Sequence, residues 1–175
     1  MTDSPIVASL VAALVSPGLR LTEHTEEESR NLDVIREVRR ARFEERSAFQ
    51  APGYTVHRRG MATLTRRAET AGSSGYGHGS IADREDQMLD MIAKGDRVWA
   101  VWMLRGMHAG DLCGFPATGR WLEVLEVGIW RLVNGKIAEA WFFADELALL
   151  EQLGVADSAN EPAHQGTPHR GPDTG

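Results

Sequence analysis

The chain has 175 residues, 42% of them hydrophobic, and a formal net charge of −6. That length suits one domain with a sizeable core, and the acidic balance speaks against bulk nucleic-acid binding. A lone cysteine, Cys113, rules out an internal disulfide and calls for no oxidising compartment, so a cytoplasmic protein is expected.

The first apolar run, PIVASLVAALV from Pro5 to Val15, is far shorter than a membrane span. Its leader MTDS carries an acid and neither Lys nor Arg, which argues against a secretory signal. Ser4 as N-cap, Pro5 at the first helical position and Ser16-Pro17-Gly18 as a stop predict a short helical extension over residues 1–18. Thr25-Glu26-Glu27-Glu28 fits a capping box, so a helix follows through Leu32, Ile35 and Val38. A second helical piece covers Ala41 to Phe49. Arg36, Arg39, Arg40, Arg42 and Arg46 are interleaved with Glu37, Glu44 and Glu45, a pattern that reads as a solvated, salt-bridged face. Ala51-Pro52-Gly53 then breaks the helix, and YTVH (Tyr54 to His57) reads as a short strand.

The segment AGSSGYGHGS, Ala71 to Ser80, is glycine-rich, but no Gly-Lys-Ser/Thr occurs in the chain and the preceding TLTRRAET is a poor buried strand. A phosphate cradle therefore lacks its context, and a mobile linker is the default. Four strand candidates follow: Asp86 to Ala93, Arg97 to His108, Arg120 to Val133 and Lys136 to Phe143. Lys94-Gly95-Asp96 and Asn134-Gly135 supply tight turns, the latter a strong hairpin signal. AGDLCGFPATG forms a longer loop. Asp145 caps a closing helix, ELALLEQL, that ends at Gly154. The tail over 156–175 is polar and rich in Gly and Pro, which predicts disorder, and its His164 and His169 show no metal-ligand pattern.

Helices, then consecutive hairpin strands, then one helix make an α+β layout. Strand Arg97–His108 is apolar on both faces: Val98, Ala100, Trp102, Leu104 and His108 on one, Trp99, Val101, Met103 and Met107 on the other. One face packs on helices; the other requires a second apolar body, either a partner subunit or an internal cavity.

The series GDRVWAVWMLRGMHAGDLCGFPATGRWLEV, then GIWRLVNGKIAEAW, then LALLEQLG, resembles the SnoaL-like polyketide cyclase and ester cyclase family of the nuclear-transport-factor-2-like superfamily. The match is dense from Asp90 to Gly154 and weaker from Leu32 to His57. The resemblance implies a domain over 19–155: a cone-shaped, curved antiparallel sheet wrapped by helices around a deep apolar pocket, with the glycine-rich loop near its rim. It implies a homodimer through the sheet, a small apolar substrate, no cofactor, no metal, no nucleic acid and no membrane. The implied activity is a cofactor-free cyclase or isomerase closing a ring in a polyketide-like or other apolar multi-ring molecule. The alternatives are a non-catalytic binding or scaffold protein, and an epoxide hydrolase, which needs an Asp/Arg/Asp-like cluster that the sequence does not place. One departure stands out. Aldol-type members carry an acid/base Asp in a His-Trp-Asp-like motif on the last strand, whereas this chain reads Ala140-Trp141-Phe142, and Phe142 cannot move a proton.

In an enclosed apolar pocket desolvation shifts pKa values, so inward polar residues are the catalytic candidates. Strict alternation on the last strand puts Lys136 and Ala138 on the pocket side with Ala140 and Phe142, and turns Glu139 and Trp141 away. His108, in the family's G-x-H-x-G turn, is either an acid/base residue or a structural histidine closing the turn. Glu126 shares a face with Leu122, Val124, Gly128 and Trp130; a carboxylate among such neighbours is paired, exposed or functional, and it is the candidate pocket acid. Tyr54 either polarises a substrate oxygen or packs as a core aromatic. His57, Trp102, Trp130 and Phe142 are the candidate substrate-binding residues. Asp145 reads as a helix cap, Asp90 as structural, and Cys113 has no histidine near it in sequence.

Overall fold

The computed structural model describes residues 24–73 and 79–155. The expected N-terminal helix, the tail and the centre of the glycine-rich loop lie outside these residues. Helix α1 spans Glu26–Arg40 and begins as the sequence predicts. The Thr25 hydroxyl accepts from the Glu28 N–H at 3.2 Å, and the Glu28 carboxylate accepts from the Thr25 N–H at 2.8 Å. The same carboxylate reaches outside its helix to accept from the Gly95 N–H at 2.8 Å, while Asn31 donates to the Gly95 carbonyl at 3.1 Å. One end of α1 is thus pinned to a strand turn about seventy residues away in sequence, and Leu32, Ile35 and Val38 are buried along its length. A 3-10 helix over Phe43–Phe49 leads into strand β1, Gln50–Gly60.

Helix α2, Ala62–Ala71, occupies the stretch that reads as a poor strand in the sequence. The local signal is weak because Met61, at the N-cap, supplies no side-chain bond. The missing acceptor comes from a distant residue: the Glu146 carboxylate accepts from the Leu64 N–H at 2.7 Å and the Thr63 N–H at 3.3 Å. Leu64 and Ala68 are buried at helical spacing, and Gly72 closes the helix with φ 63°.

Strands β2 (Ile81–Lys94), β3 (Arg97–His108), β4 (Trp121–Val133) and β5 (Lys136–Ala144) precede α3 (Glu146–Gln152). The five strands form one sheet in the order β1-β5-β4-β3-β2. The β2–β3, β3–β4 and β4–β5 pairs are antiparallel, as consecutive strands joined by short turns must be, but β1 lies parallel to β5. The sheet is therefore mixed rather than wholly antiparallel, because no hairpin links its first and last strands. The β4–β5 turn has φ 51° at Asn134 and φ 71° at Gly135, the conformation that gives Asn-Gly its hairpin preference.

Two register shifts decide what points inward. On β2, Asp83 and Arg84 together face Gly106 of β3, between the Ala82–Met107 and Glu85–Arg105 pairs. Asp83 takes φ 51°. A Cβ on Gly106 would sit 2.8 Å from the Ala82 carbonyl and 3.2 Å from the Arg84 Cα, so only glycine leaves room for this bulge. Alternation from the inward-facing Ile81 would send Asp83 and Glu85 inward; the extra residue turns Arg84 and Asp86 inward instead. On β5, Leu132 pairs with Ile137 while Arg131 pairs with Glu139. The skipped residue puts Ile137 on the inner face, buried at 3% exposure, and leaves Lys136 outside, correcting the alternation expected from the sequence. No described helix is long and apolar enough to cross a membrane.

Two predictions test these anchors. The Gly95 N–H, the Thr25 N–H and Lys94 hold the Glu28 carboxyl at about 2, below its ordinary 4.5. A depressed folded-state pKa contributes stability above the unfolded value and loses it as the pH falls. Urea midpoints should therefore drop between about pH 4.5 and about pH 2, and Glu28→Gln should flatten that drop while lowering stability at neutral pH. Replacing the distant cap by Glu146→Ala should cost about 1 kcal/mol of unfolding free energy, with Glu151→Ala on the same helix close to neutral.

Candidate active site

A cavity of about 540 Å³ opens on the inner face of the sheet, bounded by the end of α1 and the 3-10 helix on one side and β1 on another. Its floor is aromatic. Trp102 of β3 and Trp130 of β4 lie 6.0 Å apart between ring centroids, and Phe142 of β5 meets both edge-on at 6.4 and 5.8 Å. Edge-to-face contacts at these distances suit aromatic quadrupoles and hold the rings in fixed orientations. Gly128 makes this packing possible, since a Cβ there would come within 2.4 Å of the Trp130 ring and 3.0 Å of the Trp102 ring.

Glu126 sits on this floor, 5% exposed and paired across the strands with Trp102. It is the one carboxylate among the described residues that line the cavity. Beside it, Arg39 of α1 pairs with Asp86 of β2 at 2.6 Å, and its guanidinium lies 4.0 Å from the Trp102 ring centroid. Burial pushes the Arg39 guanidinium down to about 10, against the opposing pull of Asp86 and Glu126. Arg84 shares Asp86 at 3.1 Å. Two donors at this spot, Arg39 Nε and Trp102 Nε1, are buried and have no hydrogen-bond partner among the described residues. Unmet buried donors are uncommon and call for an explanation.

The rest of the wall departs from the sequence reading. Arg39, Arg42, Arg46, Arg58 and Arg84 all line the cavity. One interleaved acid does satisfy an arginine at the surface, Glu45 with Arg42 at 3.3 Å, and Asp33 pairs with Arg36 at 2.8 Å. Arg39 and Arg46, however, point into the protein. The helical spacing carries a signal for the first: Arg39 stands four residues after Ile35 and seven after Leu32, on the buried stripe of α1. Arg58 and Arg84 come from strands far apart in sequence and have no comparable local mark. The Asp86–Arg39 pair, with Glu126 near enough to act on Arg39, also forms an acid–guanidinium–acid cluster that the sequence does not place.

Of the candidate residues, the structure brings Glu126, Tyr54, Trp102, Trp130 and Phe142 to one cavity. Burial raises the Tyr54 hydroxyl above its ordinary pKa, with Arg58 opposing. His57 is not with them. It faces the opposite side of the sheet, stacks on Trp141 at 4.9 Å and lies 3.7 Å from Glu139, because its strand alternates Tyr54, Val56 and Arg58 inward. His108 is fully buried but does not line the cavity. Its Nδ1 lies 3.0 Å from the Thr118 hydroxyl and accepts from the Thr118 N–H at 3.3 Å, tying down the loop after β3. Asp145 caps α3 through the Ala148 N–H at 3.0 Å. Cys113 is buried, and burial pushes its thiol up to about 11, which leaves it unreactive as a nucleophile.

These features meet known proteins at two levels. The profile of the SnoaL-like polyketide cyclase family matches residues 79–153. Aklanonic acid methyl ester cyclase DnrD of Streptomyces peucetius is 36% identical over 66 residues, 38% of this chain and 46% of that protein. The DauD cyclase of the same name from Streptomyces sp. (strain C5) is 40% identical over 60 residues, 34% of this chain and 37% of that protein. The chain thus matches less than half the length of either relative. In structure, a SnoaL-like protein of Jannaschia sp. CCS1, assigned as a polyketide cyclase, superposes with a TM-score of 0.60 at 16% identity, over 81% of this chain and 99% of that one. AclR of Streptomyces galilaeus, assigned as a hydroxylase, gives 0.59 at 20% identity over 73% and 82%. At such identities the superpositions speak for the fold alone. Residues 79–153 are similar in sequence to the SnoaL-like polyketide cyclase family, and the described residues share the fold of the Jannaschia protein.

Proposed function

We propose that the protein is a cyclase that closes a ring within a multi-ring, polyketide-like ketone by acid/base chemistry, with no part in it for His108. The observation that carries this reading is Glu126, a buried carboxylate set on an aromatic floor beside unmet hydrogen-bond donors. The rings of Trp102, Trp130 and Phe142 would hold a flat substrate in a reactive fold, where proximity supplies much of the rate. Glu126 takes a proton from a carbon flanked by carbonyls. Arg39 Nε, Trp102 Nε1 and the Tyr54 hydroxyl stabilise the enolate oxygen that results. The enolate carbon attacks a carbonyl carbon in the same molecule, the new C–C bond forms as that C=O π bond opens, and the alkoxide recovers the proton from Glu126. Nothing is added or lost, so the product is an isomer of the substrate. His108 serves as the clasp of its loop.

A second reading rests on the Asp86–Arg39 pair with Glu126 beside it: a carboxylate that activates water for epoxide opening, with the guanidinium holding the acids in place. Mass separates the two, because ring closure conserves the substrate's mass and epoxide hydrolysis adds one water. Incubation with multi-ring aromatic β-keto esters, followed by liquid chromatography and mass spectrometry, should give a product of unchanged mass. Glu126→Gln should lower its rate by about 100-fold or more with ligand binding kept. Unchanged turnover in that variant would overturn the assignment, and substrate returned intact by the wild-type protein would make this a binding protein.

The outer sheet face suits a second copy of the chain. It carries Trp99, Val101, Leu125, Val127 and Ile129, with Phe143 at 42% and Trp121 at 56% exposure toward its margins. An apolar sheet face of this kind is a mark of an interface. Light scattering should give a dimer mass, and a monomer at micromolar concentration would refute the pairing.

A further inference from the structure

The cavity wall is charged against the trend of the whole molecule. The chain holds 25 acidic and 19 basic residues apart from histidine, yet five arginines and one carboxylate line this cavity among the described residues. Neighbouring acids do not cancel the excess. Asp86 serves both Arg39 and Arg84, and Glu45 serves Arg42. Arg46 and Arg58 form no ion pair among the described residues. Arg46 donates to the Ala41 carbonyl at 3.2 Å through Nε, which leaves the two terminal nitrogens of its guanidinium for another acceptor. Arg58 lies 5.8 Å from the Phe142 ring centroid, so it borders the aromatic floor.

We infer that the substrate of this cavity bears a free carboxylate, held by Arg46 and Arg58 while its rings lie on Trp102, Trp130 and Phe142. The inference rests on the ring-binding reading above and specifies its substrate class. A guanidinium presents paired N–H donors that match the two oxygens of a carboxylate, and charge-assisted bonds of this kind are roughly twice as strong as neutral ones. Low-dielectric walls intensify the attraction. Burial and the neighbouring Arg84 depress the Arg46 pKa against the opposing pull of Asp86 and Glu126, so the site carries a cost in desolvation and like-charge crowding that a bound anion relieves. A methyl ester, in contrast, has no charge and would add no compensation to either guanidinium. The feature therefore separates acid from ester rather than ring system from ring system.

The test compares anthraquinone-2-carboxylate with its methyl ester, titrated into the full-length protein and followed by quenching of tryptophan fluorescence. The acid should bind about tenfold or more tightly than the ester. Arg46→Met and Arg58→Met should each shrink that ratio while ester affinity holds, which also reports that the variants are folded; Arg46→Lys should retain part of it. Equal binding of acid and ester by the wild-type protein would overturn the carboxylate inference and leave the ring-binding cavity standing. Binding of neither would overturn both. A preference that survives both methionine variants would overturn the assignment to these two arginines.

Discussion

A charged group placed inside an apolar interior must be compensated, and Arg39 is where this fold meets that demand. Its side chain is only 9% exposed. Desolvation works against its charge, and three partners answer: the Asp86 carboxylate at 2.6 Å, the Trp102 face at 4.0 Å and the field of Glu126. Such an arrangement contributes little net stability compared with a well-packed apolar substitute, but loss of one partner costs about 3–5 kcal/mol. Its effect is on placement. Glu28 and Asn31 pin the first turns of α1 to the β2–β3 turn, and Arg39 pins its last turn to β2 and β3 further along the same hairpin. Helix and hairpin are fixed at two points, which determines how far α1 stands from the sheet and so the width of the cavity between them.

The two register shifts complete that geometry. Without the extra residue at Asp83, β2 would offer Asp83 and Glu85 to the interior, and Arg39 would lose its partner while the cavity gained acids. With it, Arg84 and Asp86 face inward and one carboxylate bridges two guanidiniums. The shift on β5 replaces an inward lysine with Ile137. Both changes act in the same direction: they keep the carboxylates few and paired, and the cations on one wall.

What the sequence made legible was what depends on near neighbours. The capping box at Thr25, the Asn-Gly turn, the Asp145 cap and strand β3 from Arg97 to His108 all follow from residues within a few positions of each other, and all stand in the structure. The aromatic floor and Glu126 were legible too, because period-two alternation holds along β4 without interruption. The misses share a cause. Helix α2 is capped by a residue more than eighty positions away. The inward turn of Arg84 depends on a bulge set by Gly106 of another strand. Arg39 sat on a buried stripe, but the alternation of Arg with Glu masked it, since local charge pairing does not say which partner is on the far side of a helix. His108 looked available because its Thr118 partner lies in a loop whose path cannot be read from spacing.

The departure from the aldol-type pattern can now be put in spatial terms. The family's acid on the last strand would stand at Phe142, the inward residue of β5 that pairs with Gly128 of β4. Glu126 precedes Gly128 by two, on the same face, and so lies diagonal to Phe142 across the two strands. Diagonal side chains on one sheet face come within reach of each other. A carboxylate moved from β5 to this position would still address a ligand lying over the Trp102, Trp130 and Phe142 rings, from a different angle. A Cβ at Gly128 would come within 2.4 Å of the Trp130 ring, so the packing of Trp130 against Phe142 requires glycine there. A phenylalanine at this position completes the aromatic packing beside Glu126, and Phe142 takes the place in the floor that a last-strand carboxylate would otherwise occupy.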